Sequence, residues 1–61
     1  NYSAAWKLLG QVLNKQGLAD DARNAWIEGL RAAEAKGDKQ AEKEIGVFLK
    51  RLDKVAANRP S

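Results

Sequence analysis

The chain has 61 residues without cysteine or histidine, and its 11 basic and 8 acidic residues give a formal net charge of +3. A chain of this length forms one domain at most and buries only about 60% of the surface it exposes when unfolded. The missing residue types exclude disulfides, thiolate or imidazole metal sites and nucleophile–histidine pairs. Stability must therefore come from apolar packing, within the chain or against a neighbouring segment.

Hydropathy patterning gives no indication of a membrane segment. The sequence lacks the run of about 18 apolar residues that a spanning helix needs. Its polar N-terminus leads directly into a predicted helix and does not resemble a signal peptide. We therefore expect a soluble, cytoplasmic protein with no membrane partner.

The first predicted helix covers residues 3–16. Ser3 is a suitable N-cap, and Gly17 is placed to end the helix as a left-handed C-cap. The large apolar side chains form one broad sector of the helical wheel: Trp6, Leu8, Leu9, Val12 and Leu13. The opposite face is polar or small: Ala4, Lys7, Gln11 and Asn14. Gly10, in the middle of the helix, costs about 1 kcal/mol relative to alanine, so the position needs a reason.

The second predicted helix covers residues 18–36. Asp20 and Asp21 lie in its first turn, where the helix dipole favours acidic side chains. Its inward stripe has spacings of three and four: Leu18, Ala22, Ala25, Trp26, Gly29, Leu30 and Ala33. Gly37 is predicted to end this helix, as Gly17 ends the first.

The third predicted helix covers residues 39–57 and is capped by Asp38. Its apolar stripe consists of Ala41, Ile45, Phe48, Leu49, Leu52, Val55 and Ala56. Residues 58–61, which include Pro60, are predicted to form a disordered tail. No segment alternates with a period of two for long enough to indicate a strand. The sequence therefore predicts an all-α fold of three helices, with short turns that make successive helices antiparallel.

Particular residues recur at the spacing of a known helical repeat. The motifs are Trp6-x-x-Leu9-Gly10-x-x-Leu13 in the first helix, Gly17 at the turn and Ala22-x-x-x-Trp26-x-x-Gly29 in the second helix. This pattern resembles the tetratricopeptide repeat, a helix-turn-helix unit of about 34 residues. The match covers residues 3–36, with Leu13, Trp26 and Gly29 replacing an aromatic residue, Phe and Ala. The resemblance implies an α-solenoid unit in which Gly10 lets the first helix approach its neighbour closely.

Two departures from the family pattern carry information. The proline that usually follows the second helix is absent, and the third helix does not repeat the Trp-Leu-Gly pattern. The third helix is therefore predicted to be a capping helix that covers the last apolar face of an array. The start Asn1-Tyr2-Ser3 resembles the segment that follows a preceding repeat. We expect the C-terminal repeat and cap of a longer protein with at least one upstream repeat.

A single repeat with a cap is fewer than the three or so repeats that such arrays need for stability. The face of the first helix that would meet an upstream helix, which includes Tyr2, Leu8 and Val12, is expected to be exposed. Because this apolar face is exposed, we expect the chain to self-associate through it as a homodimer with two-fold symmetry.

The resemblance implies a protein-interaction module, an adaptor or scaffold whose first helices line a groove for a peptide or partner protein. The residues at groove-lining positions are Ala4, Lys7, Gln11 and Asn14. Lys7 matches a lysine of the family's carboxylate clamp, whereas Gln11 stands where the clamp has asparagine. The other clamp residues would lie on a further repeat, so a complete clamp is not implied. The alternative interpretation of this face is an ordinary solvated helix surface.

A row of lysines on the third helix supports a rival function. Lys39, Lys43, Lys50 and Lys54 fall within about 60° on the wheel, opposite the apolar stripe. Such a face could bind nucleic acid or an acidic surface. However, no aromatic residue is interleaved for base stacking, and Glu42 and Asp53 flank one edge. A solvated outer face of a capping helix is the interpretation favoured here, and nucleic acid is disfavoured as a partner.

The sequence offers no catalytic or metal-binding constellation. Trp6 and Trp26 lie in the apolar stripes and are predicted to be core residues rather than a stacking site. Asp20 and Asp21 are adjacent on a helix, so their side chains diverge by about 100°. We expect no enzyme activity, metal, cofactor or small-molecule substrate.

Overall fold

The computed structural model describes residues 2–57, with side chains for residues 3–54. It contains three helices: α1 (Tyr2–Lys15), α2 (Ala19–Lys36) and α3 (Lys39–Ala57). The described residues form no strand, and the predicted all-α fold is confirmed. α2 is the central element, because it packs against both α1 and α3, which touch each other much less. The tail predicted at residues 58–61 lies outside the described residues.

Gly17 and Gly37 end the first two helices in the left-handed conformation that the sequence predicts. Gly17 and Gly37 have φ values of +81° and +71°, a left-handed conformation in which a Cβ would be strained. In each turn, the amide after the glycine donates to the carbonyl five residues earlier: Leu18 to Leu13 at 3.0 Å, and Asp38 to Ala33 at 2.8 Å. These bonds satisfy carbonyls that the helix ends leave unpaired, and they turn the chain back within a few residues.

The helix starts are capped less uniformly than the sequence suggests. The predicted cap at Asp38 is confirmed, since its Oδ1 accepts a hydrogen bond from the Ala41 amide at 3.1 Å. The predicted cap at Ser3 is wrong, because α1 already begins at Tyr2. Ser3 instead lies within the first turn of α1 and is only 2% exposed. Leu18 precedes α2 and makes no side-chain capping bond.

The core forms where the small face of α2 meets the apolar stripe of α3. Its buried hydrophobic residues are Ala22, Ala25, Trp26, Ala33, Ile45 and Leu52. Leu13, Leu30, Phe48 and Leu49 pack around this core and are partly buried. The predicted stripes are therefore confirmed for most positions. The predicted place of Leu18 in the inward stripe of α2 is wrong, because this residue lies in the turn and is 45% exposed. The side chains of Val55 and Ala56, predicted for the stripe of α3, lie outside the described side chains.

The face of α1 that meets α2 is narrower than its apolar sector. It consists of Trp6, Gly10 and Leu13, of which Gly10 is buried and the other two are partly buried. The exposed fractions of Leu8, Leu9 and Val12 are 61%, 43% and 44%. The predicted exposure of Leu8 and Val12 is thus confirmed, whereas the side chain of Tyr2 is not described. Three of the five apolar side chains in this sector of α1 are therefore exposed in the described chain.

Trp26 joins all three helices. Its side chain is 2% exposed, and its indole N–H donates a hydrogen bond to the Lys7 carbonyl oxygen in α1 at 3.1 Å. On its other side, the ring stacks on Phe48 of α3, with centroids 5.2 Å apart and an interplanar angle of 17°. The prediction that Trp26 is a core residue is confirmed. Trp6 is half-buried at the same seam and lies against Gly29.

Candidate functional site

An open groove of 610 Å³ runs between α1 and α3, with α2 beneath it. We call this surface the α1–α3 groove; it is lined by Leu8, Gln11, Val12, Asn14, Lys15, Trp26, Phe48, Arg51 and Leu52. Apolar side chains from all three helices form its lining, and the stacked Trp26–Phe48 pair lies at its base. The groove exists because α1 and α3 both pack on α2 but remain apart from each other at this end.

The polar part of the groove carries positive charge. Lys15 and Arg51 line it from opposite helices, and both are exposed. Neither side chain forms an ion pair within residues 3–54. No aspartate or glutamate is among the lining residues, so Gln11 and Asn14 supply the remaining polarity. The arrangement offers an apolar surface beside two unneutralised cations.

A second, smaller cavity of 150 Å³ lies between the start of α1 and the start of α3. At its edge, Lys7 Nζ donates to Glu44 Oε1 at 2.6 Å, which joins the two helices directly. The side chains are 33% and 41% exposed, so water partly screens this ion pair. The hydrogen bond and the charge of Lys7 hold the pKa of Glu44 below its ordinary value. The ammonium group of Lys7 is thereby directed toward α3.

The four residues predicted for a groove on α1 are divided between the two cavities. Gln11 and Asn14 line the α1–α3 groove, whereas Ala4 and Lys7 line the smaller cavity. Lys7 also has an intramolecular partner, which a clamp lysine would have to release before binding a peptide carboxylate. The assignment of these four residues to a binding site remains a prediction.

Sequence reasoning did not include several residues that line the groove. The sequence predicts an upstream contact for Leu8 and Val12, and the structure shows that both also line the α1–α3 groove. Lys15 and Arg51 were not singled out, because they lie on different helices, 36 positions apart in sequence. Only the packing of α1 and α3 on a common helix brings them to one surface. The spacing of Arg51 from Phe48 on α3 is the one sequence signal that could have suggested it.

The predicted lysine row lies on the outer face of α3. Lys39, Lys43, Lys50 and Lys54 are all exposed. Lys39 Nζ lies 3.7 Å from Glu42 Oε2, and because the lysine side chain is exposed, this ion pair contributes little stability. Asp53, predicted to dilute this row, pairs instead with Arg23 of α2. The row is therefore a solvated cationic face, separate from both cavities.

Among the described residues, no group of three or more histidine, cysteine, aspartate or glutamate side chains is placed to hold a metal ion. None of the helices described is both long enough and apolar enough to cross a membrane.

An antiparallel helical hairpin, with a third helix packed on its second helix, defines an α-helical repeat architecture. In sequence, the chain is similar to a TPR repeat-containing protein of Pseudomonas aeruginosa, with 55% identity over 54 residues. The match covers 88% of this chain but spans about half, 51%, of the relative. The relative and the three-helix fold confirm the tetratricopeptide-repeat family that the Trp-Leu-Gly pattern suggested. No family model and no solved structure matches the chain.

Proposed function

We propose that the chain is a tetratricopeptide-type interaction module of an adaptor or scaffold, and that it presents the α1–α3 groove to a peptide or partner protein. The observation that supports this function is the open groove itself. A volume of 610 Å³ with an apolar base and polar edges suits a few side chains of a bound peptide. The predicted contacts Gln11 and Asn14 line this groove, whereas Lys7 and Ala4 line the smaller cavity.

The proposal describes a binding role without catalysis, in the cytoplasm. The charged pairs Lys7–Glu44 and Arg23–Asp53 each join one helix to another, which is a structural role. Binding energy would come from burying apolar side chains against Leu8, Val12 and Phe48, and the polar residues would set orientation.

The test is selection of peptides from a displayed random library on the immobilised chain. A peptide recovered in this way should lose most of its affinity for the double variant Leu8→Ser with Gln11→Ala, which removes groove contacts from α1. The control variant Lys43→Ala, on the outer face of α3, should bind as the wild type does. Recovery of peptides whose affinity is the same for all three proteins would show that the groove is not the binding site.

The second candidate function is binding of nucleic acid or an acidic surface through the lysine row. The observation that favours it is the exposure of all four lysines on one face of α3. Retention on immobilised nucleic acid should then fall steeply with added salt, because each phosphate contact releases counterions. The double variant Lys43→Glu with Lys50→Glu should abolish that retention. Weak retention that is unchanged in this variant would eliminate the second candidate.

A further inference from the structure

The polar chemistry of the α1–α3 groove defines the partner more closely than the groove's shape does. Lys15 approaches from the last turn of α1, and Arg51 approaches from α3. The cations that form ion pairs among residues 3–54 do not line the groove: Lys7 with Glu44, Arg23 with Asp53, Arg31 with Glu28 and Lys39 with Glu42. Lys15 and Arg51 have no such partner within residues 3–54.

The apolar part of the groove carries the second observation. Leu8 is 61% and Val12 44% exposed, and both lie on the same lining as the Trp26–Phe48 stack. Exposed aliphatic side chains next to an aromatic base gain free energy when another apolar side chain covers them. The absence of a lining carboxylate means that an acidic partner meets no like charge there.

From these contacts we infer that the groove selects a peptide segment in which a bulky apolar side chain is flanked by aspartate or glutamate. The apolar side chain would lie over Phe48 between Leu8 and Val12, and the carboxylates would pair with Lys15 and Arg51. A planar guanidinium binds a carboxylate through two parallel hydrogen bonds, so Arg51 would supply more geometric selectivity than Lys15. The inference rests on the proposed function, since it names the partner of the same groove.

The experiment compares peptides selected from the displayed random library by the wild type and by the double variant Lys15→Glu with Arg51→Glu. Wild-type selections should be enriched in aspartate and glutamate beside leucine, isoleucine, phenylalanine or tryptophan. One selected peptide, made with blocked termini so that its side chains carry the only charges, should bind the variant about tenfold more weakly or worse. The matched control is Lys50→Glu, the neighbouring exposed position on α3, which does not line the groove.

The outcomes separate this inference from the proposed function. Acid enrichment that disappears in the double variant but persists in Lys50→Glu supports the inference. Peptides that depend on Leu8 and Gln11 but lack acid enrichment overturn the inference and leave the proposed function intact. Peptides that bind equally well to the variant lacking the Leu8 and Gln11 side chains overturn both the inference and the proposed function. Equal weakening by Lys50→Glu would show only a general attraction to net positive charge, and it would also overturn the inference. Helical circular dichroism of each variant checks that the fold is retained.

Discussion

The indole ring of Trp26 occupies the space that a side chain at Gly10 would need. A Cβ built at Gly10 would lie less than 3.0 Å from three atoms of that ring. The ring cannot move aside easily, because it is stacked on Phe48 and its N–H donates a hydrogen bond to the Lys7 carbonyl oxygen. The unfavourable helix propensity of Gly10 is therefore offset by the close packing of α1 on α2.

Substitution of Gly10 by alanine should destabilise the chain although alanine is the better helix former. The propensity gain is about 1 kcal/mol, whereas overpacking of a filled core costs about 1–3 kcal/mol. We expect a net decrease in the free energy of unfolding, measured by urea denaturation, and a larger decrease for Gly10→Leu.

Gly46→Ala is the matched control for this prediction. A Cβ at Gly46 has no neighbour within 4 Å, and the residue lies within α3. This variant should gain up to about 1 kcal/mol of stability from helix propensity alone. If Gly10→Ala were stabilised to the same degree as Gly46→Ala, the close approach of Trp26 would not be the reason for Gly10.

The attachment of α3 to α2 depends on the stack between Phe48 and Trp26. Phe48→Ala removes that ring contact and part of the groove base. Replacement of a fully buried phenylalanine by alanine lowers the free energy of unfolding by about 3–5 kcal/mol. Because Phe48 is only partly buried, we expect a loss of about 2 kcal/mol, measured by thermal or urea unfolding. Val47→Ala, at the neighbouring exposed position, should change stability by no more than about 0.5 kcal/mol. Equal effects of the two variants would mean that the stack does not hold α3.

The ion pair between Lys7 and Glu44 makes stability depend on pH. Because Lys7 lowers the pKa of Glu44 in the folded chain, the pair stabilises the fold above the ordinary glutamate pKa, and this contribution is lost as the pH falls through the lowered value. The difference in free energy of unfolding between the wild type and Glu44→Gln should therefore narrow below about pH 4.

The variant Lys7→Met tests the cause of this pH dependence. The measurement compares the free energies of unfolding of Lys7→Met and of Lys7→Met with Glu44→Gln. The difference between these two proteins should narrow less at low pH than in the wild-type background, because the cation that stabilises the carboxylate is gone. A narrowing of the same size with and without Lys7 would assign the effect to another group.

The helices could be predicted from the sequence because they depend on local spacing, and the Gly10 contact was implied by the resemblance to the tetratricopeptide repeat. The positions of Gly17, Gly37 and Asp38 specify turns through the backbone conformation and hydrogen bonds of a few adjacent residues. The face of α1 was less predictable, since the helix packs through Trp6, Gly10 and Leu13 and leaves its other large apolar side chains exposed. Ser3 is buried where the start of α1 lies beside the start of α3, and hydrophobicity does not reveal this position.

The candidate site was only partly accessible to the same reasoning. Gln11 and Asn14 could be placed by their match to one repeat, within a single helix. The ion pair of Lys7 and the position of Arg51 depend on how α3 packs, and α3 does not follow the repeat pattern. A sequence motif that ends before α3 therefore could not show that one predicted residue has an intramolecular partner or that a cation from α3 lines the groove.

The exposed apolar face of α1 should make the chain self-associate. Leu9 is 43% exposed and does not line the α1–α3 groove, so it reports on this face separately from peptide binding. Sedimentation velocity over a range of concentrations should show a monomer–dimer equilibrium for the wild type, driven by burial of Leu9 and Val12. Leu9→Glu should remain monomeric, because association would bury a charge, while Val47→Glu, at an exposed apolar position on α3, should associate as the wild type does. A wild type that stays monomeric at high concentration, or a Val47→Glu variant that loses association equally, would contradict a dimer through this face of α1.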